Sequence, residues 1–296
     1  MTDEGGGEMK RKQNRQSYYA DVFGKFRRHK LAMFSLCTLV IVILAVAFLP
    51  ALLKLDPTKT GQGKSYLAPD GSFILGLDKL GRDNFARLLY GGRTSLLVGL
   101  LSTFISIIIG VPLGLCAGYF RGACEAVVMR MVDIFMVFPS MILILVLVSI
   151  IGPSVWSVTI IIGIMGWPNF ARIVYGSVLS VSSKEYVESA QAVGASHLRI
   201  LKDYILPNAI SPVLVTTTFR TASAILEEAS LSYLGMGVQP PAASLGNILN
   251  DAQSITTLTM RPWFWIPPGL LLMLIVLSIN FIGDGMRDAL DPKMKV

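Results

Sequence analysis

The chain has 296 residues, of which 53% are hydrophobic and only 15% are charged, and its net charge is +7. A soluble domain of this size carries about 25% charged residues, so the composition excludes an ordinary soluble protein. Several uncharged runs are as long as the roughly 18–20 residues that cross a bilayer. These runs are continuous, whereas the strands of a membrane barrel alternate apolar and polar residues. The sequence therefore predicts an all-α polytopic membrane protein.

Six apolar runs predict six transmembrane helices and divide the chain into segments. A basic tail over residues 1–30 precedes the first span at 31–53, and an extracytoplasmic segment follows at 54–93. The remaining five spans lie within 94–283, and a polar tail covers 284–296.

Two polar segments beside the spans have helical patterns. Residues 18–30 (YYADVFGKFRRHK) fit either a basic amphipathic helix on the membrane surface or an ordinary cationic flank of the first span. In the second half of 54–93, Leu80, Phe85 and Leu88 fall near one helical face. This pattern predicts an amphipathic helix at the outer surface that leads into the second span.

The distribution of cations predicts the orientation. An even number of spans puts both termini on one side, and the segments on that side contain 17 Lys and Arg residues against 8 on the other. Positive residues accumulate in cytoplasmic segments. Both termini and the polar segment 172–207 are therefore predicted to be cytoplasmic.

Small residues and prolines inside the spans predict how the helices pack. Gly110, Gly114 and Gly118 recur every four residues, which favours the close approach of another helix. Pro139 predicts a kink in the third span, placed at 133–151. The three cysteines lack metal-site spacing and are interpreted as small core residues.

The segment 172–207 is a long polar stretch between apolar runs. Ser182 and Glu185 have capping-box spacing, which predicts the start of a helix. Beyond them two interpretations stay open. Either one apolar stripe continues, or two short helices meet at Gly194 and Ser196 caps the second.

The small side chains of this segment predict a compact protrusion that fits a groove of a soluble partner. The alternative is a surface helix that covers the base of the bundle. Pro207 suits the first turn of the following span, where a missing N–H costs nothing.

Several stretches, in order along the chain, resemble one family. The run ESAQAVG followed by Tyr204-x-Leu206-Pro207 is similar to the EAA-x3-G-x9-I-x-LP loop of bacterial ABC importer permeases, with Ser189 and Tyr204 replacing Ala and Ile. LGLDKLGRDNFARLLYGGRTSL, RMVDIFMVFPS, LSYLGMGVQPP and GDGMRDALDPK resemble the C-type permease of the dipeptide/oligopeptide (DppC/OppC-like) family. The resemblance runs from about residue 20 to the C-terminus.

This resemblance implies the type I ABC importer permease fold and a place in the bacterial inner membrane. It also implies that the polar segment forms coupling helices seated in a cleft of a cytoplasmic ATPase. The residues expected to form or shape this docking loop are Glu185, Glu188, Ser189, Ala190, Gly194, Ala195, Ser196, Leu206 and Pro207.

The resemblance further implies the partners. They are a B-type permease in a heterodimer, two ATPase subunits that bind ATP and Mg, an extracytoplasmic substrate-binding protein, membrane lipids and a di- or oligopeptide substrate, with no nucleic acid. Members of this family also carry nickel chelates, glutathione or oligosaccharides. An ion-coupled transporter is the first alternative, and it would show more spans and a repeat. A non-transporting scaffold that anchors an ATPase is the second, and it leaves the charges within the fifth span unexplained.

Neither catalysis nor a bound cofactor or metal is predicted for this chain. No HExxH, GxSxG or paired-cysteine motif occurs, and the two histidines are far apart in sequence. His197 is interpreted as a surface residue. Gly63-Lys64-Ser65 resembles the end of a phosphate-binding loop, but Thr58 stands where its first glycine belongs.

Three charges, Arg220, Glu227 and Glu228, lie in the predicted fifth span, where ionisable groups are costly. Arg220 and Glu227 are two helical turns apart, which predicts no short direct pair. Both glutamates are expected near the outer end, where water is available. Two roles stay open: contact with the partner permease or the outer loop, or the lining of a polar path for peptides.

Overall fold

The computed structural model describes residues 22–290, and these residues are mostly helical. Their only β-pairing is an isolated bridge between Leu77 and Asp83. The helices are α1 Lys30–Leu52, α2 Asn84–Phe120, α3 Gly122–Val137, α4 Ser140–Ile151, α5 Val155–Ser182, α6 Glu185–Ala192, α7 His197–Ile200, α8 Leu206–Tyr233, α9 Leu245–Asn250, α10 Ile255–Met260 and α11 Pro262–Leu290, with a π-helical turn at Leu201–Ile205 between α7 and α8.

Within residues 22–290, five helical stretches are long and apolar enough to cross a membrane: α1, α2, α5, α11 and the continuous stretch His197–Tyr233 that contains α8. Helices α3 and α4 make a sixth crossing if they are counted as one broken span. The predicted all-α polytopic fold is confirmed.

The third span is broken and not merely kinked. The axes of α3 and α4 differ by 88°, and the break lies at Phe138 and Pro139. Phe138 has an extended backbone (φ −81°, ψ 139°) because the ring of a following proline disfavours the helical conformation. The sequence therefore located the distortion at Pro139 correctly, but the predicted kink is a full break between two helices.

Helices α2 and α5 form the centre of the bundle and pack along most of their length. A Cβ atom at Gly110 or Gly114 would lie within 2.5 Å of a carbonyl oxygen of α5, and one at Gly118 would lie 2.7 Å from Val178. The glycines thus let the two backbones touch, which confirms the predicted packing stripe.

Helix ends differ from the predicted membrane boundaries. Helix α5 continues past Ala171 to Ser182, and α11 continues past Gly283 to Leu290. Polarity marks where a helix leaves hydrocarbon, but it does not end the helix. Gly283 and Gly285 were expected to open the tail, and they instead provide close contacts with Thr218 of α8 and Ala32 of α1.

The amphipathic helix expected before the second span is not a separate element. Asp83 caps the N-terminus of α2 by accepting a hydrogen bond from the backbone N–H of Phe85, and the helix then runs unbroken for 37 residues. Such a helix is about 55 Å long, so it extends beyond the hydrocarbon core.

At the N-terminus, residues 22–28 are helical, and Phe26 lies beside Gly285 of α11. The tail 1–21, which includes the start of the predicted 18–30 segment, and residues 291–296 lie outside the described residues. The side chain of His29 lies 3.5 Å from that of Asp288, so the two ends of the described chain meet at one end of the bundle.

At the opposite end, residues 53–83 pack against residues 234–261 through a buried cluster of charges. Asp78 accepts hydrogen bonds from Nε of Arg82 at 2.6 Å and from Nη1 of Arg87 at 2.5 Å. Arg87 also contacts Asp251, at 3.1 Å. Burial opposes ionisation of Asp78, but the N–H of Arg82 and the two guanidinium groups hold the pKa of this carboxyl below its ordinary value.

Candidate functional site

The first candidate site is the protruding segment between α5 and α8, residues 183–205, which we call the coupling segment. Helix α6 begins at Glu185, close to the predicted start. The predicted capping box is absent, because Lys184 occupies the N-cap and the Ser182 hydroxyl donates to the carbonyl of Val178 in α5. Ser182 thus closes the preceding helix and does not open the next.

Two short helices meet at Gly194, as one of the two sequence interpretations proposed. Gly194 has φ +82°, a backbone conformation that L side chains rarely adopt, although a Cβ atom there would meet nothing within 4 Å. Ser196 then caps α7 by accepting a hydrogen bond from the N–H of Arg199. The interpretation of one continuous apolar stripe was wrong, because Leu198 points away from the bundle and is 80% exposed.

The coupling segment has an inner and an outer face. Val187, Ile200 and Ile205 are buried against α2 and α5 and anchor the segment to the bundle. Among the residues expected to form the docking loop, Glu185, Glu188, Ser189, Gly194 and Ser196 are exposed, and Ala190, Ala195, Leu206 and Pro207 are partly buried.

Large apolar side chains also stand on the outer face, and sequence analysis did not single them out. Val193 is 88% exposed, Leu198 is 80% exposed and Tyr186 is 46% exposed. Their exposure could not be predicted from the sequence, because it depends on how the chain turns at Gly194.

The end of the coupling segment is continuous with α8. Residues 197–233 form one helical stretch, interrupted only by the π turn at Leu201–Ile205. Pro207 lies in the first turn of α8, as predicted. A proline ring clashes with the carbonyl four residues earlier, and the wider π turn before it relieves such a clash.

The second candidate site is the set of charges in α8. Nη1 of Arg220 donates to Oε1 of Glu227 at 2.9 Å, and Nη2 donates to the carbonyl of Ile162 in α5 at 2.8 Å. The expectation that these residues are too far apart was wrong, because the arginine side chain spans two turns along the helix surface. Arg220 is only 7% exposed, and Nε of Arg220 and Oε2 of Glu227 lack hydrogen-bond partners.

Glu228 is fully buried, and the expectation of a water-exposed position was wrong. Its carboxylate accepts hydrogen bonds from the hydroxyls of Ser95 at 2.6 Å and Ser232 at 2.7 Å. Those hydroxyls in turn accept from the backbone N–H groups of Leu245 and Val238. Glu228 therefore ties the loop after α8 to α2 and α8, which is a structural role.

Among the described residues, one exposed face of α8 carries small polar side chains between large apolar ones such as Leu226 and Tyr233, which are 45% and 44% exposed. Thr216, Ser223 and Ser230 recur along it every seven residues, with Glu227 beside them. By contrast, the exposed side of α1 carries Phe34, Ile41 and Phe48 and other large apolar residues. Within residues 22–290, no group of three or more His, Cys, Asp or Glu residues could hold a metal ion.

The arrangement of spans matches the transmembrane subunits of known importers. A chain of the inward-facing MetNI methionine ABC transporter superposes with a TM-score of 0.58 and 21% identity, covering 69% of this chain and 96% of that chain. A chain of an amino acid ABC transporter solved with histidines superposes with a TM-score of 0.52 and 16% identity, covering 68% and 92%. The fold is that of an ABC importer permease.

The chain belongs to the family described as the binding-protein-dependent transport system inner membrane component, which matches residues 110–296. Residues 17–69 match the N-terminal TM domain of oligopeptide transport permease C. It is therefore an inner-membrane, non-catalytic component of ABC transporters.

Curated relatives share the same class over nearly their whole length. A putative peptide permease protein of Brucella suis is 40% identical over 272 residues, 92% of this chain and 90% of that protein. The dipeptide transport system permease protein DppC of Alkalihalophilus pseudofirmus is 38% identical, and the oligopeptide transport system permease protein OppC of Bacillus subtilis is 37% identical. Each of these two alignments covers 94% of this chain and 91% of the relative.

Proposed function

We propose that this chain carries di- or oligopeptides across the inner membrane as one permease subunit of an ATP-driven importer, and that the coupling segment docks on a cytoplasmic ATPase. The observation that carries the docking role is the outer face of the coupling segment. Val193 and Leu198 expose large apolar surfaces on the same segment as the exposed Glu185 and Glu188, and the inner face of this segment is anchored to the bundle. Exposed apolar groups with a polar rim are typical of a protein interface.

The connection between the coupling segment and α8 supports a mechanical role. ATP bound between two ATPase subunits draws them together, and a docked coupling segment moves with them. Because residues 197–233 form one helical stretch, this displacement passes directly into α8. The permease halves then rock between inward and outward access.

The proposed orientation places the coupling segment in the cytoplasm and the charge cluster around Asp78 outside. Two observations support it. The cations divide 17 to 8 in favour of the coupling side. Residues 53–83 and 234–261 contact each other through Lys79 and Asp251 beside the N-terminal end of α2, whereas the coupling segment packs near the C-terminal end of α2.

The open polar face of α8 supports a path for substrate between two permease subunits. A second, B-type permease would cover this face, and hydroxyls of Thr216, Ser223 and Ser230 would replace water around a passing peptide. Arg220 is anchored to α5, so Glu227 is the charge of this pair that borders the path. A binding protein would deliver peptide to the outer loops.

The docking proposal is tested by co-purifying the ATPase subunits with Leu198→Asp. Leu198 is 80% exposed, so the substitution leaves the fold intact and places a charge where the partner's apolar cleft would close. We expect at least about a tenfold loss of bound ATPase, as for an interface hot spot. The matched control is Ile255→Asp, which is 79% exposed at the opposite end. Equal ATPase binding by both variants would refute docking and the orientation together.

The cargo is tested by peptide uptake into proteoliposomes that contain the complete importer. Labelled dipeptides and longer peptides should accumulate only when ATP and the binding protein are present. Failure to accumulate any peptide, in a complex that hydrolyses ATP in response to its binding protein, would refute the peptide assignment.

A further inference from the structure

The coupling segment has an attachment to the bundle besides its continuity with α5 and α8. Nδ1 of His197, at the start of α7, lies 2.8 Å from the phenolic oxygen of Tyr119, at the end of α2. The rings of Tyr119, Phe120 and His197 also meet edge to face, with centroids between 5.1 and 5.9 Å apart. The contact joins residues 78 positions apart in the chain.

Tyr119 lies where a displacement of the coupling segment would move it. Its ring packs on the same apolar cluster as the inner face of the coupling segment, whose anchors are Val187, Ile200 and Ile205. Helix α2 ends one residue later, at Phe120, and the chain turns at Arg121 with φ +53°. The hydrogen bond is therefore made by the last turn of a helix whose other end lies across the membrane.

Helix α2 reaches the outer loops as one continuous helix, with Pro112 inside it. Near its N-terminus Arg87 contacts Asp78 and Asp251, and Ser95 contacts Glu228 and the N–H of Leu245. Between these ends, Gly110, Gly114 and Gly118 hold α2 against α5. Its 37 residues show no break at Pro112, and the contact with α5 at Gly110 and Gly114 supports the helix on both sides of this proline.

We propose that Tyr119 and His197 form a positioning contact through which the coupling segment moves α2 and, with it, the outer loops. This inference rests on the proposed docking role and adds a second route beside the direct one into α8. In this arrangement ATP-driven displacement of α7 reaches both sides of the permease at once. Without the contact, α8 still moves while α2 lags, so ATP is hydrolysed with less transport.

The test is the number of peptides taken up per ATP hydrolysed by the complete importer in proteoliposomes. Tyr119→Phe removes the hydroxyl and keeps the ring, and His197→Phe removes the ring nitrogens and keeps the edge contacts. We expect each variant to lower this ratio about two- to twelvefold, the range that corresponds to one net hydrogen bond. The double variant should lower the ratio no further than the more impaired single variant does, because both changes remove the same contact.

The matched control is Tyr175→Phe, which removes another phenol hydroxyl at the same end of the bundle. The hydroxyl of Tyr175 donates to the carboxylate of Glu125 on α3, not to a residue of the coupling segment. We expect its ratio to equal that of the wild type. An equal loss in Tyr175→Phe, additive losses in the double variant, or a normal ratio in Tyr119→Phe would each overturn the inference.

ATPase co-purification distinguishes a failure of this inference from a failure of the docking proposal on which it rests. Tyr119→Phe should retain its ATPase subunits, because Tyr119 lies on α2, outside the coupling segment. If Leu198→Asp loses the ATPase while Tyr119→Phe transports normally, docking stands and the positioning contact is refuted. If Leu198→Asp retains the ATPase, the docking proposal itself is refuted.

Discussion

The contact between α2 and α5 gives the sharpest test of how this bundle is held together. An alanine Cβ at residue 114 would lie 2.5 Å from the carbonyl oxygen of Ala171 and 2.8 Å from Cβ of Val174. Ordinary contact at such a position begins at 3.4 Å, so the helices must separate locally by about 0.9 Å. Two backbones on rigid helices cannot move apart at one point alone, and neighbouring contacts are lost as well.

The magnitude follows from comparing Gly114→Ala with Gly176→Ala. Both substitutions replace a glycine inside a helix and gain up to about 1 kcal/mol in helix propensity. At Gly176 a Cβ would meet nothing within 4 Å, whereas at Gly114 it overpacks the helix contact, which costs about 1–3 kcal/mol. The propensity gain cancels in the comparison, so Gly114→Ala is expected to be less stable than Gly176→Ala by about 1–3 kcal/mol.

Thermal unfolding of the two variants in the same detergent measures this difference. For a chain of this size, 1 kcal/mol shifts the midpoint by about 2–4 °C, so Gly114→Ala should melt at least about 2 °C below Gly176→Ala. Identical midpoints would show that the helices can separate without cost, and the close-packing argument would then fail.

Two further predictions concern charged groups. Asp78→Asn leaves the buried Arg82 and Arg87 with Asp251 as their one remaining carboxylate and should cost up to about 3–5 kcal/mol at neutral pH, measured by thermal unfolding. Because the folded pKa of Asp78 lies below its unfolded value, this difference should persist down to about pH 4 and shrink only as the pH falls through the folded pKa. A difference that already disappears between pH 7 and 5 would contradict the assignment. Glu227→Gln should lower uptake of cationic peptides relative to anionic ones without changing the amount of assembled complex. An unchanged ratio would place Glu227 away from the path.

The membrane class and the spans could be derived from the sequence alone because they depend on composition and local pattern. Hydrocarbon admits few charges, so long uncharged runs identify spans whatever their neighbours are. The stripe of Gly110, Gly114 and Gly118 could be read as a contact surface for the same reason. The turn at Gly194 and the cap at Ser196 are local as well, since each depends on a few adjacent residues.

Only the tertiary structure decided which residues meet. Arg87 and Asp251 are 164 positions apart in the chain, and Ser95 and Glu228 are 133 positions apart, so no local sequence pattern predicts either contact. From sequence spacing, Arg220 and Glu227 were predicted not to pair, because a helical pattern does not show how far an arginine side chain reaches. Glu228 was predicted to be exposed to water, because the pattern does not show the loop that covers it. His197 is exposed, as predicted, but its contact with Tyr119 could not be predicted because it depends on where α2 ends in space. Local physical chemistry determines which segments are helical and apolar, while long-range packing determines what their polar groups touch.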